Sequence, residues 1–527
     1  MLRSTLADFI DLQCVPRLAA AEVYGKVQFD DLRRRYLRGR CPFDGSHAGP
    51  ESFVVDAWTL RWSCLDHCQK GGQSVLSYLN GGSLPQAGGE LRALVERLAL
   101  GAGVPSGTLP EISKETDEEF RAHERVAGLL ETFFLQAHTL LHSAQPSVRQ
   151  SAEAFLARHG LVGEPFDDLP IGLAADMRSV RRGLEMAGFT AQEIDASALT
   201  ADERLAGRLV GPIRDRSGRI LSFWARDPLD RSPRVLFKGS WKEETALVGL
   251  DAAFHGAGSR REHVGDLLVL ERVFDALVLQ GLGFSRAAAV AGPASDLTRA
   301  RWERLAALGV RRVTLVPDDS GVSRRNALVA VESAFRAKPS PDVWVLLPEG
   351  LGQHPTAAEL VRARRLREFQ TTLQARLVHA YRYKALALLE QHRPASGWTE
   401  IARHRAWKEA IEFYATSDTK SRPNLDAHFV PAIVAGLQRS WDAFEPQGRT
   451  STEVATLEAP PPRPPISVPL VATRSLGPPG PTETISLAVA PARVADPAGV
   501  PRRPARNGAN GYCHLHHCDT TVCFCFD

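Results

Sequence analysis

Four residues near the N-terminus, Cys41, His47, Cys64 and Cys68, stand in two pairs on either side of Ser52-Phe53-Val54-Val55 and Trp62-Ser63. Thiolate and imidazole are borderline-soft donors. Two such pairs joined through a short alternating β-hairpin give Zn2+ the four tetrahedral ligands of a closed structural site. His67, beside Cys68, is a substitute for one of them. A second chemical set is acidic: Glu271 follows the apolar run from Asp266, and Asp318 follows Arg312 to Val316. Carboxylates just past strand ends are hard oxygen donors suited to Mg2+ or Mn2+. A third set fills residues 511–527, where Cys513, Cys518, Cys523 and Cys525, with His516 as a substitute, have the composition of a second small metal knuckle.

The elements that must position the acids are legible from periodicity. Short apolar runs at Asp266 to Glu271, Ala287 to Ala291, Arg312 to Val316 and Val343 to Leu347 alternate with helical segments Val273 to Gly281, Leu297 to Leu308 and Val322 to Lys338. That alternation predicts a parallel sheet with right-handed crossovers, whose chemistry collects at the carboxyl ends of its strands. Upstream, the tight-turn signal from Asp215 to Gly218 predicts a hairpin between Pro212-Ile213 and Ile220 to Phe223. Basic residues Arg226, Arg234, Lys238 and Lys242 follow it. From Glu119 to His142 the spacing of Val126, Leu129, Leu130, Phe133, Phe134 and Leu140 predicts a long amphipathic helix. Leu2 to Leu18 and Gln73 to Leu79 also read as helical. The basic run from Asp31 to Arg40 reads either as a solvated helix face or as phosphate contact.

At 527 residues the chain is too long for one core. Its net charge of +3 neither demands nor excludes nucleic acid, so clustering decides. No apolar run reaches the ~18 residues of a membrane helix, and no signal-peptide core opens the chain, so a cytoplasmic protein is expected. Cysteines clustered in that compartment suit metal better than disulfides. Cys14, outside the clusters, is expected in the core. No Gly-x4-Gly-Lys-Ser/Thr loop occurs, which leaves any helicase to a separate chain.

Cys41-Pro42-Phe43, Ser52-Phe53, Trp62 near Cys64, and Cys68 ahead of Gly71-Gly72 resemble the zinc-binding domain of the bacterial replicative DNA primases. Phe155-Leu156-Ala157-Arg158-His159-Gly160-Leu161, Gly211 to Ile220 and Phe223 to Arg226 follow the order of the same family's polymerase core. Glu271 with Asp275, Ala291-Gly292, Val316 to Gly321 and Leu346 to Gly350 resemble its Toprim domain. The resemblance implies a basic groove for template and nucleotide phosphates, placing Arg214, Arg226, Arg234, Lys238 and Lys242 there. It also implies catalytic roles for Glu271, Asp275, Asp318 and Asp319. The chain departs from the pattern where Asp44 stands in place of a zinc-ligating His, Ser320 in place of a second Asp, His354 in place of a later acid, and Arg272 in place of a Gly beside Glu271.

The expected architecture is multidomain, α+β and α/β. It comprises a zinc ribbon (1–100), a helical connector (101–149), the N-terminal part of a primase core (150–263), a parallel-sheet Toprim domain (264–366), a helical domain (367–445), a disordered Pro-rich linker (446–510) and the terminal Cys/His knuckle (511–527). After Leu366 the reading is helical, with Trp398, Trp407, Phe413 and Trp441 as core. The implied activity is synthesis of short RNA primers on single-stranded DNA from ribonucleotides, with structural Zn2+, catalytic Mg2+ or Mn2+, and a separately encoded replicative helicase as partner. The alternative is a catalytically degenerate DNA-binding protein of primase descent.

Overall fold

The computed structural model describes residues 5–438, apart from 33, 44–48, 50, 66–73, 87, 143–145, 230–234, 238–246, 256–264, 348–350, 352–353, 355 and 364–365, together with 512–513 and 518–519. Its first sheet is antiparallel, in the order β1 (Tyr36–Gly39), β2 (Phe53–Asp56), β3 (Arg61–Cys64). Phe53, Val54 and Val55 are the residue types that favour a pleated, packed strand. Alternation predicts one buried face, yet all four residues of β2 are buried. Phe53 and Val55 pack with Tyr24 and Trp62 among N-terminal helices, whereas Val54 packs on the opposite side with Tyr36 and Phe134. Gly39 lets β1 pass close over the preceding chain, since a Cβ there would lie 2.6 Å from the Gln28 carbonyl oxygen.

Phe134 belongs to the Lys114–His142 helix, whose 29 residues span about 43 Å at 1.5 Å per residue. Leu129, Phe133 and Phe134 are buried as expected, but Val126 is exposed. Around that level the helix turns Glu124, Ala127 and Glu131 inward instead. Arg61 of β3 meets Glu124 at 2.9 Å and Asp11 at 3.4 Å. Arg35 meets Asp56 at 3.1 Å and Asp251 at 3.0 Å. An arginine keeps its charge at any accessible pH, so its burial requires a paired carboxylate. The run from Asp31 to Arg40 is therefore neither a solvated helix face nor wholly available to phosphate. Tyr36–Gly39 is a strand, Arg35 is internal, and Arg34 and Arg40 are exposed.

The second sheet is antiparallel and runs β4 (Gly172–Leu173), β5 (Leu209–Arg214), β6 (Ile220–Arg226), β7 (Val235–Phe237). The expected hairpin is β5–β6. Its turn is held by Asp215, whose Oδ1 accepts from the backbone N–H groups of Ser217 and Arg219. A register shift between Ile213 and Arg214 leaves both side chains buried, as a bulge that re-aims one residue does.

The third sheet has the order β12-β11-β10-β8-β9, with β8 (Asp266–Leu270), β9 (Ala287–Ala289), β10 (Arg312–Val316), β11 (Asp342–Leu346) and β12 (Leu377–His379). β8 to β11 are parallel, and helices Val273–Gly281, Arg299–Ala307 and Gly321–Arg336 follow the first three of them. β12 adds an antiparallel edge, Leu346 opposite Leu377. It lies inside the region read as wholly helical, and a three-residue strand is too short to show a period of two. Beyond it, Ala380–His392, Glu400–Thr416 and Val430–Leu437 pack around Ala406, Ala410, Leu425, Phe429 and Ile433. Trp398, Trp407 and Phe413 rim this cluster rather than filling it, because alanines on the Glu400–Thr416 helix bring the backbones close. Trp441 lies outside the described residues.

Residues 1–468 make one compact unit and 469–527 a second. In the second, β13 (Tyr512–Cys513) and β14 (Cys518–Asp519) pair antiparallel, with Cys513 opposite Cys518. The Pro-rich segment 446–510, His516, Cys523 and Cys525 lie outside the described residues. Among the described residues no helix is long and apolar enough to cross a membrane.

Candidate active site

β8 and β10 are hydrogen-bonded neighbours with Leu270 opposite Val316, so Glu271 and Asp318 emerge side by side at the carboxyl end of the parallel sheet. The sequence placed both there. Glu271 is held by three donors: its Oε1 accepts from the Ala294 backbone N–H at 2.9 Å and from Asn326 Nδ2 at 3.4 Å, and its Oε2 accepts from Ser323 Oγ at 2.7 Å. Ser323 Oγ in turn accepts from the Asp318 backbone N–H at 2.9 Å. The turn after β9, with Ala291 at φ 59°, leads the chain to Ala294. Ser320, the residue replacing a carboxylate, caps the Gly321–Arg336 helix by accepting from the Ser323 N–H at 3.0 Å.

Asp318 Oδ2 pairs with the Arg272 guanidinium at 2.8 Å. Burial raises the Asp318 carboxyl above its ordinary range, Arg272 pulls it back, and Glu271 pushes it up. Asp275, one turn into the Val273–Gly281 helix, is buried and pushed up to about 7, chiefly by desolvation; Arg272 opposes the shift and Asp318 adds to it. Asp319 is exposed. Ser323 and Asn326 escaped the sequence reading, although their spacing from Ser320 on one helix face offered the signal.

These carboxylates, as they stand, do not fit the divalent cation that the resemblance implies. Both Glu271 oxygens already accept hydrogen bonds, one Asp318 oxygen is paired with a guanidinium, and Asp275 resists ionisation. Among the described residues no three His, Cys, Asp or Glu side chains are placed to hold a metal. The N-terminal sheet differs. Cys41 and Cys64 are both buried and free of disulfide, and they lie at one end of the sheet, where Gly39 pairs with Phe53 and Phe53 with Cys64. Phe43 and Trp62, with centroids 5.0 Å apart, wall that end. Two sheltered thiols there fit half of a zinc site. His47, Cys68 and His67 lie outside the described residues.

The basic residues separate. Arg214 is not a nucleic-acid contact: it is buried, and its two terminal nitrogens donate to Glu131 at 2.8 and 2.7 Å. The register shift beside it, where Leu221 of β6 is left without a partner residue, accompanies this burial. Arg226 remains near the surface with its guanidinium 5.3 Å from the Phe155 ring. Phe155 meets Phe274 edge-on at 5.1 Å, and His159 stacks on Phe274 at 5.1 Å. Phe274 precedes Asp275 on the same helix, so this cluster packs on the element that carries one of the acids; the sequence reading had not joined them. Arg234, Lys238 and Lys242 lie outside the described residues.

A three-stranded antiparallel sheet, a four-stranded antiparallel sheet and a mainly parallel sheet ending in paired acids thus make up the frame of the site. No family model matches the chain. It is 25% identical over 319 residues to a DNA primase of Deinococcus radiodurans, covering 57% of this chain and 50% of that protein, and 26% identical over 311 residues to a DNA primase of Streptomyces coelicolor, covering 56% and 46%. The chain thus spans about half the length of these curated relatives. A crystal structure of the Aquifex aeolicus primase, comprising zinc-binding and RNA polymerase domains, superposes with a TM-score of 0.50 at 19% identity, covering 82% of this chain and 99% of that one. Over a little more than half of its length the chain is thus similar to bacterial DNA primases.

Proposed function

We propose that the protein is a primase: it binds single-stranded DNA and joins ribonucleotides into short RNA primers by nucleotidyl transfer. The observation that carries this reading is the adjacency of Glu271 and Asp318 at the ends of paired parallel strands, in a chain whose curated relatives are DNA primases. In the reaction a 3′-hydroxyl oxygen bonds to the α-phosphorus of a nucleoside triphosphate, the hydroxyl proton leaves, and pyrophosphate departs. Glu271 is fixed in advance by Ala294, Ser323 and Asn326, so its charge needs no reorganisation as the reaction proceeds. Arg226, backed by Phe155, is positioned to meet phosphate, while His159 and Phe274 offer ring faces on which a base can stack.

The N-terminal sheet holds Zn2+ through Cys41, His47, Cys64 and Cys68, which staples it and presents it to template. The parallel-sheet region acts as the Toprim domain, with Asp275 and Asp319 supporting the central pair. Arg234, Lys238 and Lys242 extend the phosphate-binding groove, and a separate helicase supplies the unwound strand. The Cys513 and Cys518 hairpin, with Cys523 and Cys525, forms a second small zinc knuckle.

The test is synthesis on single-stranded DNA with labelled ribonucleotides and Mg2+ or Mn2+. Wild-type protein should make short RNA, and Glu271→Gln should abolish synthesis while leaving DNA affinity within about twofold, because one neutral amide alters the acidic site and not the phosphate contacts. Synthesis surviving Glu271→Gln would remove this carboxylate from the active site.

A further inference from the structure

A cleft of about 500 Å³ lies where β11 begins, between the parallel sheet and the helices that follow it. Arg312 and Asp342 pair at that end of the sheet, and the length of β10 sets it about 13 Å from the strand ends that carry the acids. One side of the cleft is a run of stacked rings. Phe335 lies on Tyr381 at 4.2 Å, Tyr381 beside His379 at 5.5 Å and His379 on His428 at 4.4 Å, with interplanar angles of 4°, 17° and 16°. Burial, with His379 beside it, lowers the His428 imidazole to about 4, so the ring is uncharged at neutral pH. Asp342 lines the same cleft. His379 Nδ1 accepts from the Tyr381 backbone N–H, which puts its proton on Nε2. Asp342 Oδ1 accepts from that Nε2 at 3.1 Å, and Oδ2 accepts from Trp344 Nε1 at 2.7 Å and Arg312 Nε at 3.3 Å. A carboxylate oxygen takes two hydrogen bonds, so Oδ1 keeps one place open, and 40% of the side chain is exposed.

We propose that this cleft binds a mononucleotide whose base carries an exocyclic amino group, with the base against His428, the amino group on Asp342 Oδ1 and the phosphate on Arg382. Asp342 and Arg382 are both among the charged groups acting on His428, so the three partners surround one place. The ring face suits any base, because stacking on an aromatic side chain is tolerant of sequence. Each ring in the run fixes the next, so His428 gives up little freedom when a base arrives. Arg382 is exposed in the first turn of the Ala380–His392 helix, and no ion pair among the described residues holds it. The positive end of that helix adds to its attraction for phosphate. Ser340 and Asn424 also line the cleft and offer partners to ribose hydroxyls, which an apolar ligand would leave unmet. The position, at the opposite ends of the strands from Glu271 and Asp318, separates this ligand from any substrate of the acidic site. The inference is independent of the primase reading.

The experiment is equilibrium dialysis of the full chain against radiolabelled AMP in EDTA, with an azido-AMP photoprobe mapped by mass spectrometry of the peptides. One AMP should bind per chain, and the label should fall on the peptides that contain Trp344 or His428. His428→Ala should weaken AMP about tenfold, the scale of losing one stacked ring. Arg382→Gln should weaken it about as much by removing the charged donor, and this exposed position covers the case in which the histidine change disturbs packing. UMP, whose base has no amino group, should bind about tenfold more weakly than AMP. The proposal is overturned by no AMP binding at millimolar concentration, by label elsewhere in the chain, or by unchanged affinity in Arg382→Gln. Equal binding of UMP, or competition by inorganic phosphate as strong as that by AMP, would overturn it too, as would tighter binding of a single-stranded dA oligomer at the same peptides. Primer synthesis enters neither readout, so either result leaves the primase reading to its own test.

Discussion

Arg214 and Glu131 form a two-pronged ion pair at 2.7 and 2.8 Å with both side chains essentially out of solvent. The pair joins β5 of the central sheet to the middle of the Lys114–His142 helix. Asp56 of the N-terminal sheet lies 3.4 Å from the same guanidinium, and Arg35 meets Asp56 in turn. The first sheet is thus locked to the core through charge as well as through the packing of Val54 on Phe134.

Removing one partner strands a buried charge. Glu131→Gln and Arg214→Ala should each destabilise the protein by about 3–5 kcal/mol, seen as a lower urea midpoint. A phosphate-binding arginine on the surface would behave differently, losing DNA affinity with stability intact. That pattern for Arg214→Ala would contradict the burial described above.

Asp275 makes stability depend on pH. Burial pushes its carboxyl up to about 7 in the folded chain, well above the ordinary aspartate range. The folded pKa is raised, so its contribution is fully present below about pH 4 and declines as pH rises through 7. Asp275→Asn does not ionise. Its stability relative to wild type should therefore improve between pH 4 and 8, by roughly 2–4 kcal/mol. Parallel denaturation curves for the two proteins across that range would show no such burial penalty.

Cys41 and Cys64, both buried at one end of the first sheet, are two of the four ligands in the proposed zinc site. Substituting Cys41 and Cys68 together with serine should release about one equivalent of zinc by elemental analysis and weaken template binding, since a closed structural site contributes folding energy. Unchanged zinc content would remove this site.

Much of the parallel sheet could be read directly. Arg312–Val316 and Val273–Gly281 have the bounds their periodicity predicts, because a buried parallel strand is a continuous apolar run and its helices carry a clear 3.6-residue period. That Glu271 and Asp318 adjoin follows from strand order plus the rule that strand ends collect chemistry. The resemblance to bacterial primases rests likewise on ordered local motifs, each visible as a string. What the sequence could not show is where charge goes once elements pack. Arg35, Arg61 and Arg214 look like surface cations in a string of letters. Each is internal because a carboxylate from a distant element, Asp56, Glu124 or Glu131, arrives beside it, and only the tertiary fold creates those meetings. The same holds for Arg272. Its position beside Glu271 was evident, but its partner was not: the sheet register brings Asp318 within 2.8 Å of it, and residues 46 positions apart in the chain become neighbours only when β8 and β10 pair.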